Sequence, residues 1–306
     1  MSQCFVSIYM MICVSYYIVM ERKGLGMMQR RQGPNKVSFK GVLQPIADGV
    51  KLFTKEIIVP VATGKGMFFM GPFVCFFCAY SLWMLYPSCN SVIQYEFGLL
   101  FFLCISSFSV YGVFLVGWIC DSRYAFLGAM RAVAQTISYE VFLSTLLFCP
   151  LILVGSFDLL ELRQFSFFSF LLGQEILLLW FIAVLAETHR APFDFVEGES
   201  ELVAGYSVEY GGTGFALLAL AEYSNMLFMS MVTVCLYFSW VVPLFWWGDF
   251  FFSVIMIFFG YFLIWVRGTL PRYRYDLLMK VCWEILLPYS LCFFIFFMSP
   301  LELLFS

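Results

Sequence analysis

The sequence predicts an all-α integral membrane protein, a bundle of eight transmembrane helices with an amphipathic interfacial helix after the first span. Of its 306 residues, 62% are hydrophobic and only 12% are charged, whereas soluble domains carry about 25% charged residues. The apolar residues fall in runs of about 20, the length that a helix needs to cross a bilayer. Lys and Arg residues are concentrated in every second connection between these runs.

Eight apolar runs are the candidate spans, and together they predict one polytopic membrane domain over residues 1–306. The first run ends at Glu21-Arg22-Lys23 rather than at a small-residue cleavage site, so we interpret it as a spanning helix. The eleven cysteines are interpreted as small packing residues. The spans are expected at about residues 2–20, 67–86, 97–119, 133–156, 165–187, 213–239, 248–266 and 281–300.

The distribution of positive charge predicts the orientation of these spans. Sixteen of the 17 Lys and Arg residues lie in alternate connections, and Arg163 is the only cation in the others. Basic connections remain on the side from which a membrane protein is inserted. Both termini are therefore expected on the outer side, and the basic connections on the cytoplasmic side of a bacterium or the matrix side of a mitochondrion.

The first inner connection is predicted to contain the interfacial helix. From Val42 to Val59, apolar residues recur at helical spacing, and Asp48 and Lys51 fall on the polar side. The roughly 16 residues available before Pro60 are too few to cross a bilayer. We therefore expect this helix to lie along the inner surface of the membrane.

Acidic residues gather in one part of the chain, because seven of the 20 carboxylates lie between residues 187 and 222. Asp194 and Glu197 fit a helix N-cap pattern, so a short helix is predicted to begin there. Glu197 and Glu201 would then share a face. If they are shielded from water, the pKa of at least one should rise above that of a free glutamate.

Two further glutamates, Glu140 and Glu222, fall near the middle of predicted spans. An ionised side chain there costs about 2.5–3.5 kcal/mol or more, so these residues are expected to face the bundle interior. Each could be a neutral, hydrogen-bonded link between helices or a carrier of protons. Together with the loop acids they suggest a polar path from the inner surface to mid-membrane. Glu175 is interpreted as a structural polar contact.

Two longer stretches are specific to a known family: ERKGLGMMQRRQGPNKVSFKGVLQPIADGVKLFTKE at 21–56 and AETHRAPFDFVEGESELVAGYSVEYGG at 186–212. Both resemble the signature regions of NADH dehydrogenase subunit 1, the membrane chain of respiratory complex I at the junction with the quinone-reducing arm. Shorter resemblances follow in order along nearly the whole chain. The departures are Met27 where tyrosine is common, His189 where asparagine is usual, and Gly-Thr-Gly at 212–214.

This resemblance implies a core membrane subunit of a proton-translocating NADH:ubiquinone oxidoreductase. It would form the quinone-access tunnel and the entrance of the proton path that couples quinone reduction to pumping. The quinone-binding residues implied are Arg22, Arg31, Asp48, Phe215 and Arg267. The implied proton path comprises Glu140, Glu187, Glu197, Glu199, Glu201, Glu209 and Glu222.

The implied partners and cofactors follow from the same resemblance. The glycine pairs of this chain lack a preceding strand and a third glycine, so they do not indicate a dinucleotide or phosphate site, and its single histidine does not favour a metal site. FMN and iron–sulfur clusters are expected in partner subunits, and a ubiquinone-type quinone is the expected substrate. The expected partners are the quinone-reducing hydrophilic arm, neighbouring membrane-arm chains and lipids, but not nucleic acid. The expected location is the mitochondrial inner membrane, or the plasma membrane of a bacterium.

Two other functions are considered. A secondary transporter could bind a coupling ion at the intramembrane glutamates, but it would favour two related halves with broken helices, and no internal repeat is apparent. The membrane chain of an energy-converting hydrogenase resembles the acidic region but need not bind quinone. The resemblance at 21–56 argues against that second alternative.

Overall fold

A computed structural model describes residues 2–60, 63–88, 95–195, 205–242 and 248–305, and all of the regular structure in these ranges is helical. The α-helices are α1 (Ser2–Met28), α2 (Gln44–Thr54), α3 (Lys65–Leu82), α4 (Gly98–Ile119), α5 (Arg123–Val154), α6 (Leu159–Leu172), α7 (Gln174–Glu187), α8 (Gly212–Thr233), α9 (Gly248–Thr269), α10 (Tyr275–Val281) and α11 (Leu287–Phe305). Short 3₁₀ turns cover Phe39–Gly41, Trp83–Leu85, Gly205–Ser207 and Ser239–Val241, and π-helical turns cover Val234–Phe238 and Cys282–Leu286.

Six helical segments in the described ranges are long and apolar enough to cross a membrane. They correspond to six of the eight apolar runs in the sequence, and the first run lies within α1. An all-α integral membrane fold is thereby confirmed. The six segments are Lys65–Leu85, Gly98–Ile119, Arg123–Val154, Gly212–Val241, Gly248–Thr269 and Tyr275–Ser299.

The continuous helix predicted over residues 165–187 is replaced by two 14-residue helices, α6 and α7, which are divided at Gly173. The Gly173 N–H donates to the Ser169 carbonyl at 3.0 Å, and a Cβ added at Gly173 would lie only 2.6 Å from that oxygen. The tight turn therefore requires glycine, which is also about 1 kcal/mol less favourable than alanine within a helix. Hydrophobicity extends across this break and conceals it in the sequence.

The helix predicted to lie along the inner surface, α2, is shorter than the expected range from Val42 to Val59. It begins at Gln44 and ends at Thr54, and Lys55 already has an extended backbone. Pro45 stands in the first turn, where a missing N–H costs nothing. After Lys55 the chain passes close to Gly212 at the start of α8. The predicted amphipathic helix is confirmed over its centre and wrong at both ends.

Small residues bring the central helices close together. A Cβ added at Gly71 of α3 would lie 2.8 Å from Val116 of α4, and one added at Gly112 of α4 would lie 2.8 Å from the sulfur of Cys75. Close backbone approach at small residues is a usual mode of helix packing in membranes. α8 packs against α1, α3 and α9 and is the most buried of the six spanning segments. Polar residues on α8 therefore face protein.

The single cation predicted on the outer side lies inside the protein. Arg163 of α6 is only 3% exposed. Its guanidinium donates to the Pro87 carbonyl at 2.7 Å and to Asp249 of α9 at 2.8 Å, and it stacks on the Phe252 ring at 4.6 Å. The Ser239 hydroxyl donates to the Arg163 carbonyl at 2.7 Å. Arg163 therefore joins four parts of the chain at one point.

Candidate functional site

A buried ion triad lies where α1 and α9 meet the loop after α7. Glu21 of α1 is 4% exposed and accepts from Arg190 at 3.2 Å and from Arg267 of α9. The Arg190 guanidinium also lies 4.7 Å from the centre of the Tyr223 ring. Two cations thus surround one carboxylate. This arrangement satisfies charges that would be costly to bury singly, and it leaves one net positive charge.

A cavity of about 160 Å³ adjoins this triad and reaches into the bundle. Arg190 and Arg267 line one part of it, and Glu222 of α8 lines another. Phe215, which is 42% exposed, also contributes to the wall. The cavity therefore links the positively charged triad to an intramembrane carboxyl group.

A second cavity, of about 60 Å³, lies deeper between α3, α4, α5 and α8, and we refer to it as the central cavity. Glu222 lines this cavity as well, together with Glu187 at the end of α7. The Tyr206 hydroxyl, also at this wall, donates to Glu222. The other polar residues that line the central cavity are Ser109, Thr136, Thr188, His189 and Asn225.

A third, smaller cavity continues from the central cavity towards Glu140. Its volume is about 20 Å³, and Glu187 and Asn225 line both cavities. Ser106 of α4 lines this third cavity and donates to the Glu140 carboxylate of α5 at 3.3 Å. Glu187 and Glu140 lie close enough to interact electrostatically.

The shared lining residues place three glutamates in one series. Glu222 belongs to the first and second cavities, Glu187 to the second and third, and Glu140 is reached through Ser106. A water molecule needs about 10–15 Å³ of such space, so the central cavity has room for a few. Carboxyl groups joined by hydroxyl groups and water can exchange protons over short steps.

Other residues form the surface of the protein beside the first helix. Arg22 donates to Asp48 of α2 at 2.6 Å, and the Gln44 amide donates to the same carboxylate at 2.8 Å. The two ionic side chains are 52% and 31% exposed. Arg31 lies three residues beyond the end of α1 and is exposed. Arg22 and Asp48 are therefore brought together, whereas none of the described ion pairs or side-chain hydrogen bonds joins Arg31 to them.

An apolar cavity of about 300 Å³ opens beside the same helix. It lies between α1, α9 and the turn that precedes α2, and Lys23 is its one charged lining residue. The remaining wall is formed by Tyr16, Val19, Met20, Gly24, Met27, Gly41, Val42 and Tyr261. Its lining is therefore mostly apolar, as in sites that bind apolar ligands.

The predicted loop acids have different positions. Asp194 is 3% exposed and pairs with Arg272 at 2.9 Å, so it anchors the loop after α7 to the segment before α10. Glu209 is exposed and lies beside Cys120 at the end of α4. Glu197, Glu199 and Glu201, with the short helix predicted for them, lie outside the residues that the structure describes.

Several residues of the site were not singled out from the sequence. Glu21 forms the centre of the triad, although in the sequence it reads only as the end of an apolar run beside two bases. Tyr206 and Asn225 reach the central cavity from a turn and from α8.

Similarity to known proteins identifies the family of this chain. The profile of a family described as NADH dehydrogenase matches residues 2–298. The NADH-ubiquinone oxidoreductase chain 1 of Heterololigo bleekeri is 46% identical over 298 residues, covering 96% of this chain and 94% of the relative. Proteins with the same description from Anopheles gambiae and Mytilus edulis are 45% and 44% identical and cover 95% and 90% of this chain. The family model spans the residues of the ion triad and of the cavities, and the relatives match most of the chain at more than 40% identity, so the chain belongs to the NADH dehydrogenase family.

Proposed function

We propose that this chain is a core membrane subunit of a proton-translocating NADH:ubiquinone oxidoreductase, respiratory complex I. In this role it forms the quinone-access tunnel and the entrance of the proton path. The relatives that match it over nearly their whole length are described as chain 1 of NADH-ubiquinone oxidoreductases. Oxidation of NADH belongs to other subunits of the assembly, which carry the FMN and the iron–sulfur clusters.

The observation that carries the proposal is the series of cavities between the ion triad and Glu140. It begins at two arginines near the inner surface and continues past Glu222 and Glu187. A carboxyl group in an apolar bundle is costly, and three in one series are harder to explain by structure alone. A change of charge near the triad would act electrostatically on Glu222 across the first cavity. Protons would then pass between the glutamates.

The quinone end of the proposal is supported by the apolar cavity beside α1. An isoprenoid chain requires an apolar lining, and a quinone head requires a few placed donors and charges. The head is expected near Phe215 and Arg267, which share the cavity next to the triad. The Arg22–Asp48 pair stands beside α1 at the inner surface, and we include Arg31 in the same binding region.

The proposed topology has eight spans with both termini on the outer side of the mitochondrial inner membrane. α6 and α7 together form the fifth span, and α1 contributes the first. The ion triad then lies on the inner side, next to the hydrophilic arm that reduces quinone. Neighbouring membrane-arm subunits and lipids cover the remaining apolar surface.

Replacement of the intramembrane glutamates tests the function. Glu222→Gln and Glu140→Gln keep the side-chain size and a hydrogen-bonding group but cannot exchange a proton. We expect each assembled variant to lose most of its NADH-driven proton translocation, measured in sealed vesicles with a pH-sensitive dye. Glu175→Gln is the matched control, because Glu175 is exposed and accepts only a 3.4 Å contact from Tyr289 among the described interactions.

Full proton translocation in both Glu222→Gln and Glu140→Gln would contradict the proposed path. An equal loss in the Glu175→Gln control would show that any change of charge in these helices impairs the enzyme. Quinone binding is tested separately through Phe215→Ala, which should raise the KM for a short-chain quinone and leave oxidation of NADH by a soluble acceptor intact.

A further inference from the structure

Tyr223 of α8 lies against the ion triad, and the path through the glutamates does not use it. The centre of its ring lies 4.7 Å from the Arg190 guanidinium. Its hydroxyl group also approaches the Glu21 carboxylate closely enough to act as a hydrogen-bond donor. The same residue lines the first cavity together with Arg190 and Arg267. One aromatic side chain therefore contacts the triad at the place where the triad meets the cavity.

The triad holds two cations with a single carboxylate. Arg190 and Arg267 both donate to Oε1 of Glu21, and the contact from Arg190 is 3.2 Å long. Two guanidinium groups that meet at one oxygen repel each other, and one carboxylate neutralises only one of them. Arg190 is 7% exposed, so bulk water solvates its charge poorly. A further source of stabilisation is therefore needed to keep Arg190 in this position.

An aromatic ring can hold a cation without neutralising it. The electrons of the ring face attract a guanidinium group, and the attraction is strongest where both groups are shielded from water. A second carboxylate in place of the ring would cancel the charge of Arg190. Tyr223 instead stabilises Arg190 and leaves the net positive charge of the triad at the wall of the first cavity.

The ring of Tyr223 is itself held by a second, buried ring. Tyr17 of α1 is 5% exposed and packs edge-on against Tyr223, with the ring centres 6.0 Å apart and the planes at 72°. The Tyr17 hydroxyl donates to the Gly260 carbonyl of α9 at 2.8 Å. A Cβ added at Gly260 would lie 3.2 Å from the Tyr17 ring, so the two residues are in close contact. Helices α1 and α9 thus fix the ring that contacts Arg190, as a preorganised site requires.

We propose that Tyr223 is a positioning residue of the quinone site and holds the Arg190 guanidinium at the wall of the first cavity. The proposal rests on the proposed function, because it takes the quinone head to bind in this cavity near Phe215 and Arg267. The carbonyl oxygens of a quinone accept hydrogen bonds, and charged donors form the stronger ones. A guanidinium group that keeps its positive charge at the cavity wall is such a donor. Tyr223 acts through Arg190 and needs no bond of its own to the quinone.

Substitution of the ring tests this role in the assembled enzyme. Tyr223→Leu removes the face that holds Arg190, so we expect the KM for a short-chain quinone to rise about 10-fold, as for the loss of a buried cation–π contact. Oxidation of NADH by a soluble acceptor should not change. Tyr223→Phe keeps the ring face and should retain a KM close to that of the wild type.

Tyr275→Leu is the matched control for the loss of a ring beside a cation. Tyr275 lies 5.9 Å from the Arg131 guanidinium, and Arg131 is not among the residues that line the first cavity. This control should keep the wild-type KM for quinone. Equal rises of the KM in Tyr223→Leu and Tyr275→Leu, or in Tyr223→Leu and Tyr223→Phe, would overturn the proposal.

A double substitution shows whether Tyr223 acts through Arg190. Arg190→Ala alone should raise the KM for quinone. In that background Tyr223→Leu should add little, because the cation that the ring holds is already absent, and residues that act through one contact are not additive. Additive effects of the two substitutions would assign Tyr223 a direct contact with quinone and would overturn the positioning role.

Tyr223→Met keeps the proposal testable if Tyr223→Leu does not assemble. Methionine fills the space flexibly but has no aromatic face, so the same rise of the KM is expected. A merely structural ring would instead lower the amount of assembled enzyme and leave the KM unchanged, which would overturn the proposal.

Phe215→Ala distinguishes this failure from failure of the quinone site. If Phe215→Ala raises the KM while the leucine and methionine variants of Tyr223 keep the wild-type value, the site stands and the positioning role is wrong. If Phe215→Ala also leaves the KM unchanged, the quinone head does not bind in this cavity, and the role assigned to Tyr223 is wrong with it.

Discussion

The contact between Tyr206 and Glu222 shows how a carboxyl group is held within an apolar bundle. Tyr206 is 3% exposed and belongs to the turn before α8, whereas Glu222 lies within α8. The phenol donates to the carboxylate, and a buried acceptor without its donor costs about 1–3 kcal/mol. Tyr206 therefore fixes the position of Glu222 between the first cavity and the central cavity.

Removal of this hydroxyl group should impair proton transfer more than stability. Tyr206→Phe keeps the ring but leaves Glu222 without this donor, so we expect slower NADH-driven proton translocation at near-normal assembly. Tyr210→Phe is the matched control, because the Tyr210 hydroxyl donates to the Phe68 backbone carbonyl at 3.1 Å. The control should lose about 1 kcal/mol of stability and keep translocation per NADH unchanged. An equal loss of translocation in both variants would assign Tyr206 a structural role only.

Single residues differ in how far their roles could be predicted. Glu140 and Glu222 stand out in the sequence, because a carboxylate inside an apolar run is costly wherever the helix packs. Their neighbours could not be predicted in this way. Ser106 and Tyr206 reach the carboxyl groups from other segments, and serine and tyrosine are common in spanning helices without any role. The partners depend on which helices pack together, which the sequence pattern does not specify.

At the level of elements, Arg163 joins the ends of several helices. It connects α6 with the turn at Pro87, with α9 through Asp249, and with Ser239. Removal of one member of a buried polar cluster leaves the others without partners in an apolar environment, which costs several times more than loss of an exposed pair. The helices around Arg163 should therefore lose their mutual packing in one cooperative step.

Arg163→Lys should destabilise this region although it keeps the charge. A lysine ammonium cannot stack on Phe252 as a planar guanidinium does, nor reach both oxygen acceptors from one rigid group. We expect a loss of about 2 kcal/mol of stability, measured as a lower melting temperature and less assembled enzyme. Arg274→Lys is the control, because the Arg274–Asp276 pair is 77% and 64% exposed and should contribute less than about 1 kcal/mol. Equal effects of both substitutions would contradict a special role for Arg163.

Element boundaries were predicted less well than element positions. Apolar spacing correctly predicted a helix between Val42 and Val59, but the ends of that helix depend on Pro45 and on the contact of Lys55 with the start of α8. The break at Gly173 arises from a close contact with the Ser169 carbonyl. Periodicity and hydrophobicity describe the middle of a helix, whereas its ends are determined by local turns and by neighbouring helices.

At the scale of the whole molecule, charge and apolar surface are strongly ordered. The spanning helices expose large apolar side chains, among them Phe258, Ile295 and Phe296 at 64–66% exposure, as expected for contact with lipid. Because Arg163 is buried, the one cation of the predicted outer connections does not reach the outer surface. Among the described residues, the exposed positive charges belong to the opposite connections, and the predicted orientation rests on that asymmetry.

Cysteine labelling tests this orientation with positions that the structure describes as exposed. Glu96 precedes α4 on the predicted outer side, and Lys36 lies between α1 and α2 on the inner side. A charged maleimide that does not cross membranes should label Glu96→Cys in right-side-out vesicles and Lys36→Cys only in inside-out vesicles. The native Cys13, Cys104 and Cys292 are exposed but lie within apolar helices, where a charged reagent does not penetrate, so the unsubstituted chain gives the background. The reverse labelling pattern would place the ion triad on the outer side, away from the face where the hydrophilic arm is proposed to bind, and would contradict the proposed topology.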